Sequence, residues 1–438
     1  MTTNPVADLV RVGPGTPMGD FMRQYWLPAA LSQEVKADGD PVRLMILGEK
    51  LIAFRDTAGR VGILDHRCPH RCASLFVGRN EQNGIRCVYH GWKFDVDGNC
   101  VDMPSVPARL DFKEKVHARA FKATERNGLI WVYMGKDQAN PPPLPAIEAN
   151  LIPDSKIWCL QRQCNWLQAL EGDIDTSHVG FLHVGALQAE DLPEDSPLRP
   201  TVLNRAPEYR VQNAEWGAMY GAYRPDEDGR MSWRAAHFMF PFWTMTPNIH
   251  FSTRAIARAW VPMDDTHVML FDITGGVDEG NPFFTTKLKN GEPIYEKIRR
   301  KPNGTGWFDR WLPMDGLHND WGIDREAQRN MIHFTGINNP SMQDQAITES
   351  MGPITDHSFE HLAPTDQMIA TVRRRLVQAL RNCRENQASA PAVMSPEVYF
   401  GARSGAFWAD PETSFADAYT AELQKAHRWP AAGAELPA

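Results

Sequence analysis

The stretch Cys68-Pro69-His70-Arg71-Cys72, with sixteen residues between His70 and Cys87 before Cys87-Val88-Tyr89-His90-Gly91-Trp92, decides how the chain is read. Each half offers one cysteine and one histidine, and Pro69 and Gly91 suit loops that turn back closely. Two chemistries use such a set. In a [2Fe–2S] centre of mixed ligation, two thiolates hold one iron and two imidazoles the other, which raises the reduction potential. In structural zinc, two Cys and two His close one tetrahedron, but there the ligands pair as C-x2–4-C and H-x3–5-H. Cys-x-His followed by Cys-x-x-His puts one of each type in each loop, which favours the mixed cluster over zinc.

The chain has 438 residues, 42% of them hydrophobic, enough for two or three domains with real cores. A net charge of −8 and a pI near 6.0 leave no basic footprint, so no nucleic-acid partner is expected. The opening MTTNPVADLVRVG lacks a charged segment followed by an apolar core, and no apolar run reaches about 18 residues. A soluble, cytoplasmic protein without membrane contact is predicted. Beyond Cys68 and Cys87, the remaining Cys72, Cys100, Cys159, Cys164 and Cys383 show no disulfide framework.

Met18, Phe21, Met22, Tyr25 and Trp26 follow Gly13-Pro14-Gly15 at helical spacing, predicting a packed helix in an N-terminal segment, 1–37. From Val42 the period changes: VRLMILG, KLIAFRD and RVGILDH read as strands, with Asp56–Gly59 and Asp97-Gly98 as hairpin turns. FKATERNGLIWVYMG closes a small antiparallel β domain over 38–138. The proline-rich 139–150 reads as a linker, and 151–438 as a second domain. Within it, hairpins are expected around PDEDG (225–229) and MDDT (263–266), an irregular insertion with a helix over 280–335, and a helix after Pro364 with Ile369, Val372, Leu376 and Leu380 on one stripe. Residues 388–438 carry no strong periodicity.

A second set of donors lies in EGDIDTSHVGFLH, 171–183. His178 and His183 are five residues apart, about 500° around an ideal helix, so a bend or loosening is needed to bring both imidazoles to one metal. Gly172 and Gly180 make that easier. Two imidazoles and a carboxylate on one face of an octahedron suit mononuclear Fe(II) with positions open for O2 and substrate. Buried, hydrogen-bonded core histidines are the competing reading, and the cluster motif upstream favours iron because a one-electron centre needs a destination. In the strand expected over 250–260, alternation places His250, Ser252, Arg254, Ile256, Arg258 and Trp260 on one face. Arg254 and Arg258 could clamp a substrate carboxylate, or could be solvent-facing or interface arginines.

The 68–92 stretch resembles the Rieske motif of ring-hydroxylating oxygenases. Respiratory Rieske proteins have a further cysteine in each loop; Cys72 lies near the place of one, but Tyr89 stands where the other is needed. Asp-x-x-His-x4-His after a Rieske domain and linker is similar to the catalytic α subunits of Rieske non-haem iron oxygenases, and the 171–183 sequence looks like the phthalate dioxygenase branch. Met18-Gly19, VPMDDTH (261–267), QD (343–344) and ESMGP (349–353) extend the likeness over about residues 10–385.

The resemblance implies an α+β fold, a Rieske domain joined to a catalytic domain whose curved antiparallel sheet wraps a long helix. It implies Cys68, His70, Cys87 and His90 on the [2Fe–2S] cluster. It implies His178, His183 and a downstream carboxylate, Asp344 with Asp356 in reserve, on mononuclear Fe(II). Asp175 matches a carboxylate that links His178 to His90 of the next subunit in a head-to-tail trimer, or a multiple of one. The implied activity is hydroxylation of an aromatic, carboxylated substrate with O2, by dioxygenation or by monooxygenation such as O-demethylation. No G-x-G-x-x-G after a strand, flavin motif or plant-type ferredoxin cysteine set is present, so a separate NAD(P)H-dependent reductase of flavin or ferredoxin type is expected. A Rieske electron-transfer protein with a non-catalytic C-terminal domain is the alternative.

Overall fold

The alternating apolar pattern from Val42 to Asp65 builds the strands it predicts: Val42–Ile46, Glu49–Arg55 and Val61–Asp65 pair antiparallel. This computed structural model describes residues 6–430, apart from 195, 227, 249 and 277–280. Gly59, at φ 84°, closes the Asp56–Gly59 turn with its amide donating to the Asp56 carbonyl. Ala120–Arg126 and Leu129–Tyr133 extend the sheet, and Trp26–Leu31 completes its six strands.

That last strand corrects the helix expected through Tyr25 and Trp26. The helix, Pro17–Met22, is capped by Thr16 and ends four residues earlier than the apolar spacing suggested. Every residue of Trp26–Leu31 is buried, and a run that is apolar at each position carries no period to separate strand from helix. A register shift between Pro28 and Ala30 accommodates the proline.

A small four-stranded sheet, Arg79–Asn80, Ile85–Arg86, Lys93–Phe94 and Cys100–Asp102, stands beside the first and carries the ligand loops. Its core of Ile52, Phe54, Leu64, Leu75, Ile85, Trp92 and Phe94 includes both Cys68 and Cys87.

The large sheet runs, in spatial order, Lys156–Arg162, Val268–Gly276, Arg254–Pro262, Trp243–Met245, Met231–Met239, Gly217–Pro225 and Glu208–Ala214, all antiparallel. Both predicted hairpins are present: the Met263 amide donates to the His267 carbonyl, and Asp226 to Arg230; Glu227, in the second turn, lies outside the described residues. The strand expected from His250 begins instead at Arg254. His250 bridges Ala406, and Arg403 Nε donates to the Phe251 carbonyl, so the C-terminal segment holds 250–253 out of the ladder.

The long helix Gln367–Glu385 buries Met368, Val372, Leu376 and Leu380 against strands 208–214 and 217–225, giving the sheet wrapped on a helix. Residues 388–430 are more ordered than their weak periodicity suggested: Gly405–Ala409 adds a strand beside Met231–Met239, and Phe415–Lys425 is a helix. A buried Arg403–Glu148 pair at 2.8 Å ties this segment to the short helix Glu148–Leu151. Residues 431–438 of that stretch, and residue 280 of the insertion, lie outside the described residues.

Candidate functional site

The two ligand loops are built alike. The Cys68 amide donates to the Ala73 carbonyl and Cys72 to Cys68; in the second loop the Cys87 amide donates to Trp92 and Gly91 to Cys87. Cys72 and Gly91 occupy matching places, and both have positive φ, 60° and 76°. A Cβ on Gly91 would meet Pro104 Cγ at 2.7 Å, so the second loop requires glycine there. Cys72 is exposed, and none of the seven cysteines is joined in a disulfide.

Cys68 and Cys87 are buried, while the rings of His70 and His90 lie 4.5 Å apart nearer the surface. Trp92 stacks on His70 at 4.3 Å, fixing its plane. His90 Nδ1 is buried without a hydrogen-bond partner, an arrangement suited to a ring nitrogen that ligates metal. Burial pushes the Cys68 thiol up to about 12, so a thiolate there needs a cation beside it. Both observations fit a cluster on these four residues.

The second centre begins with the helix Trp166–Ile174. Asn165 caps it, its side-chain oxygen accepting from Leu167 N, while its amide group donates to the Val10 and Asp265 carbonyls. Asp175 turns to extended backbone and ends the helix. Val179–His183 then winds as a π-helical turn, with the Val184 amide donating to the Val179 carbonyl. This looser winding is the relaxation that the five-residue His spacing called for. The glycines act by close approach rather than by unusual dihedrals. A Cβ on Gly172 would lie 3.1 Å from Thr348 Cγ2, and one on Gly180 at 3.0–3.2 Å from Arg205.

His178 Nε2 and His183 Nε2 lie 3.2 Å apart, and Asp344 Oδ1 is 3.6 Å from the first and 3.2 Å from the second. Metal bonds of about 2.1 Å meeting at right angles place ligand atoms about 3 Å apart, so this triangle has the size of one octahedral face. Among the described residues it is the one group of three or more His, Cys, Asp or Glu donors that converges in this way. Asp344 stands on the helix Pro340–Ser350, started by Pro340 and capped by Asn339. Asp356 is exposed in a later loop, accepting from Ser358, and does not join the triangle.

Burial pushes the Asp344 carboxyl up, but the two imidazoles outweigh it and hold the group well below the usual carboxylate range. Burial likewise opposes charge on His178, and Asp175 and Asp344 overcome it, raising its pKa. Asp175 Oδ2 is 3.6 Å from His178 Nδ1, while Oδ1 accepts from Ser177 N at 2.7 Å and Ser177 Oγ at 2.5 Å. Burial raises the pKa of Asp175, yet His178 and Ser177 bring it down overall.

The outer nitrogen of the other ring, His183 Nδ1, faces Gln343 Oε1 at 2.7 Å, and Gln343 Nε2 donates to the Ile337 carbonyl. That chain of bonds orients the amide, so Nδ1 carries the proton and Nε2 is left for the metal. Gln343 was visible in sequence only as half of the QD pair; its role needed the fold.

A cavity of about 540 Å³ lies between the large sheet and the 297–300 segment. Arg254 and Arg258 line it, as the strand alternation anticipated, together with Trp158, Ile256, Phe284, Lys297 and Arg300. It reaches Asn339 and Ser341 at the start of the Asp344 helix, and Phe283, next to Phe284, packs on His183 at 5.2 Å. Arg258 is half-buried and held in a double ion pair, Nη1 to Asp173 Oδ1 at 2.5 Å and Nε to Asp272 Oδ2 at 2.7 Å.

Residues 25–122 match the family described as "Rieske [2Fe-2S] domain", and residues 132–403 match "LigXa C-terminal domain like". The chain belongs to the Rieske non-haem iron oxygenases. This oxygenase is 47% identical over 423 residues to the 3-chlorobenzoate-3,4-dioxygenase oxygenase subunit of Comamonas testosteroni, covering 95% of this chain and 97% of that one. It is 37% identical over 395 residues to the phthalate 4,5-dioxygenase oxygenase subunit of Pseudomonas putida, covering 85% and 84%. The crystal structure of dicamba monooxygenase bound to dicamba aligns with a TM-score of 0.55 at 17% identity, over 84% of this chain and 99% of that one, and shares the fold. The protein is therefore the oxygenase component of a Rieske system, with a [2Fe–2S] cluster and a mononuclear iron. The readings as a zinc module or a plain electron-transfer protein give way to this one. No helix among the described residues is long and apolar enough to cross a membrane.

Proposed function

We propose that this oxygenase hydroxylates a carboxylated aromatic compound, with Cys68, His70, Cys87 and His90 holding the cluster and His178, His183 and Asp344 holding the iron. The triangle of His178, His183 and Asp344, with a cavity lined by four cationic side chains, Trp158 and Phe284 that reaches Asn339 and Ser341 at the head of the Asp344 helix, carries the reading. The names of the two curated relatives, which act on chlorobenzoate and phthalate, agree with it. When bound, the cluster supplies single electrons and the iron activates O2. The protein's own residues orient the imidazoles through Asp175 and Gln343, and shape a cavity that positions the substrate.

The domain division that goes with this is an N-terminal segment 1–37, a Rieske domain 38–138, a linker 139–150 and a catalytic domain 151–438. The N-terminal segment touches both parts, its strand Trp26–Leu31 joining the six-stranded sheet and its helix Pro17–Met22 meeting the long helix. A separate reductase delivers the electrons, in the cytoplasm.

Copies of the chain assemble head to tail as a trimer or a multiple of it. Two exposed apolar rims support this. Val88 and Tyr89 stand out beside the cluster loops, and Ile347, Met351 and Leu362 border a groove of about 180 Å³ that contains Asp175, His178 and Asp344.

The test of the reaction is turnover with a surrogate reductase, 18O2 and a panel of benzoates, phthalates, aryl ethers and neutral aromatics. Carboxylates with 18O in a new hydroxyl group, or O-demethylated carboxylates with the label in the released formaldehyde, are expected; a protein that oxidises only neutral compounds would overturn the substrate class. The support from Gln343 is tested separately. Gln343→Leu removes the acceptor of His183 Nδ1–H, and the Fe(II) dissociation constant, measured by equilibrium dialysis, is expected to rise about 10- to 100-fold. Unchanged retention would show that the backbone alone holds the ring.

A further inference from the structure

We propose that the substrate carboxylate is held by Arg300, with Lys297 beside it, from the segment roofing the cavity, and that Arg258 is a positioning residue of the floor. This rests on the carboxylated-aromatic reading above and names the residues that enforce it.

Arg258 faces two buried carboxylates. Asp173 also accepts from Thr244 Oγ1 at 2.5 Å and from Trp260 Nε1 at 3.3 Å, so the arginine ties the sheet to the helix that leads into Asp175 and His178. A substrate anion brought there would meet one positive charge already flanked by two negative ones.

Arg300 is in the opposite state. It is half-buried, its guanidinium centre 5.2 Å from the Trp158 ring and 5.9 Å from the Trp311 ring, and its Nε is buried without a hydrogen-bond partner. Among the described residues no carboxylate lies within ion-pair distance of Arg300 or of Lys297. Burial pulls the Arg300 guanidinium down, the direction expected of a cation awaiting a counter-ion. Two indoles hold the plane of the fork, so little freedom is lost when a carboxylate docks. With its anionic end at Arg300 and Lys297, the aromatic ring lies along Ile256, Ile298 and Phe284, toward Asn339 and Ser341 at the head of the Asp344 helix.

The test compares 3-chlorobenzoate with its uncharged analogue 3-chlorobenzamide in the fully loaded enzyme, reading the dissociation constant by quenching of tryptophan fluorescence and KM by turnover. Wild type is expected to prefer the acid. Arg300→Gln should weaken acid binding by about 10- to 100-fold and change amide binding less than about threefold. Arg300→Lys, which keeps the charge and loses the fork, should fall between, and Lys297→Gln should show a smaller loss in the same direction. An equal loss for acid and amide, or an unchanged preference in Arg300→Gln, overturns the assignment. A wild-type enzyme that binds the amide as well as the acid overturns the carboxylate reading itself, whatever the variants do. Should Arg300→Gln fail to fold, judged by iron content and the cluster spectrum, Arg300→Lys and Lys297→Gln decide the question by the same comparison.

Discussion

Cys87→Ala is expected to abolish the visible absorption of the cluster and leave the mononuclear iron, while His178→Ala does the reverse. Iron per chain should fall from about three to about one in the first and to about two in the second. The dissociation follows from where the residues stand. Cys87 lies in the core of the small β domain, packed with Ile85, Trp92 and Phe94, and alanine there removes one thiolate without touching the 178–183 turn. His178 contributes Nε2 to the triangle with His183 and Asp344, and its loss leaves two donors for an ion that requires a facial set of three. Asp344→Ala should resemble His178→Ala, both losing turnover completely. Asp356→Ala should keep its iron, since that carboxylate is exposed and engaged with Ser358. A His178→Ala or Asp344→Ala protein with wild-type turnover would mean that the iron lies elsewhere, and iron loss in Asp356→Ala alone would move the third ligand to that residue.

How far the sequence reached depended on how local each feature was. The cluster loops are short, and their chemistry is written in adjacent residues, so the sequence alone nominates Cys68, His70, Cys87 and His90 as the proposed cluster ligands. The His178–His183 spacing announced a distortion, and the structure resolves it as a π turn after a break at Asp175. Asp344 is 160 residues or more from both histidines, and no periodicity links them; only family likeness pointed to it.

The arginines show the limit most clearly. Alternation along 254–262 correctly turns Arg254 and Arg258 to the cavity, but it says nothing of what stands opposite. Asp272 is the register partner of Arg258 on the next strand, and Asp173 arrives from the helix below, so both are tertiary facts. Arg300 sits in a segment without period, and its placement between Trp158 and Trp311 has no local signature beyond the basic run Arg299-Arg300-Lys301.

Asp175→Asn is the substitution expected to separate metal binding from turnover. In the wild type, Oδ1 is fixed by two donors of Ser177, and Oδ2 is left facing His178 Nδ1. Asp175 lines the open groove, and Oδ2 has a second lone pair for an N–H that the proposed assembly supplies from His90 of a neighbouring copy. Asparagine has the same size but only one carbonyl oxygen. If that carbonyl keeps the Ser177 amide, the NH2 group stands where Oδ2 was and presents donors to the N–H of both imidazoles. If the amide flips, the Ser177 amide loses its acceptor instead. Neither orientation serves Ser177 and both rings together, as the carboxylate does, whereas the Nε2 side of His178 is unaffected and should still bind iron.

The variant is therefore expected to hold both metals, to give a normal cluster spectrum on reduction, and to turn over at least about 100-fold more slowly, a rise of about 2.7 kcal/mol in barrier. Reoxidation of the prereduced cluster by O2 in the presence of substrate, followed by stopped-flow absorption, should slow by the same factor. Loss of iron from the variant would reduce Asp175 to a support for His178, and near-normal turnover with both sites filled would remove the carboxylate bridge between subunits from the mechanism.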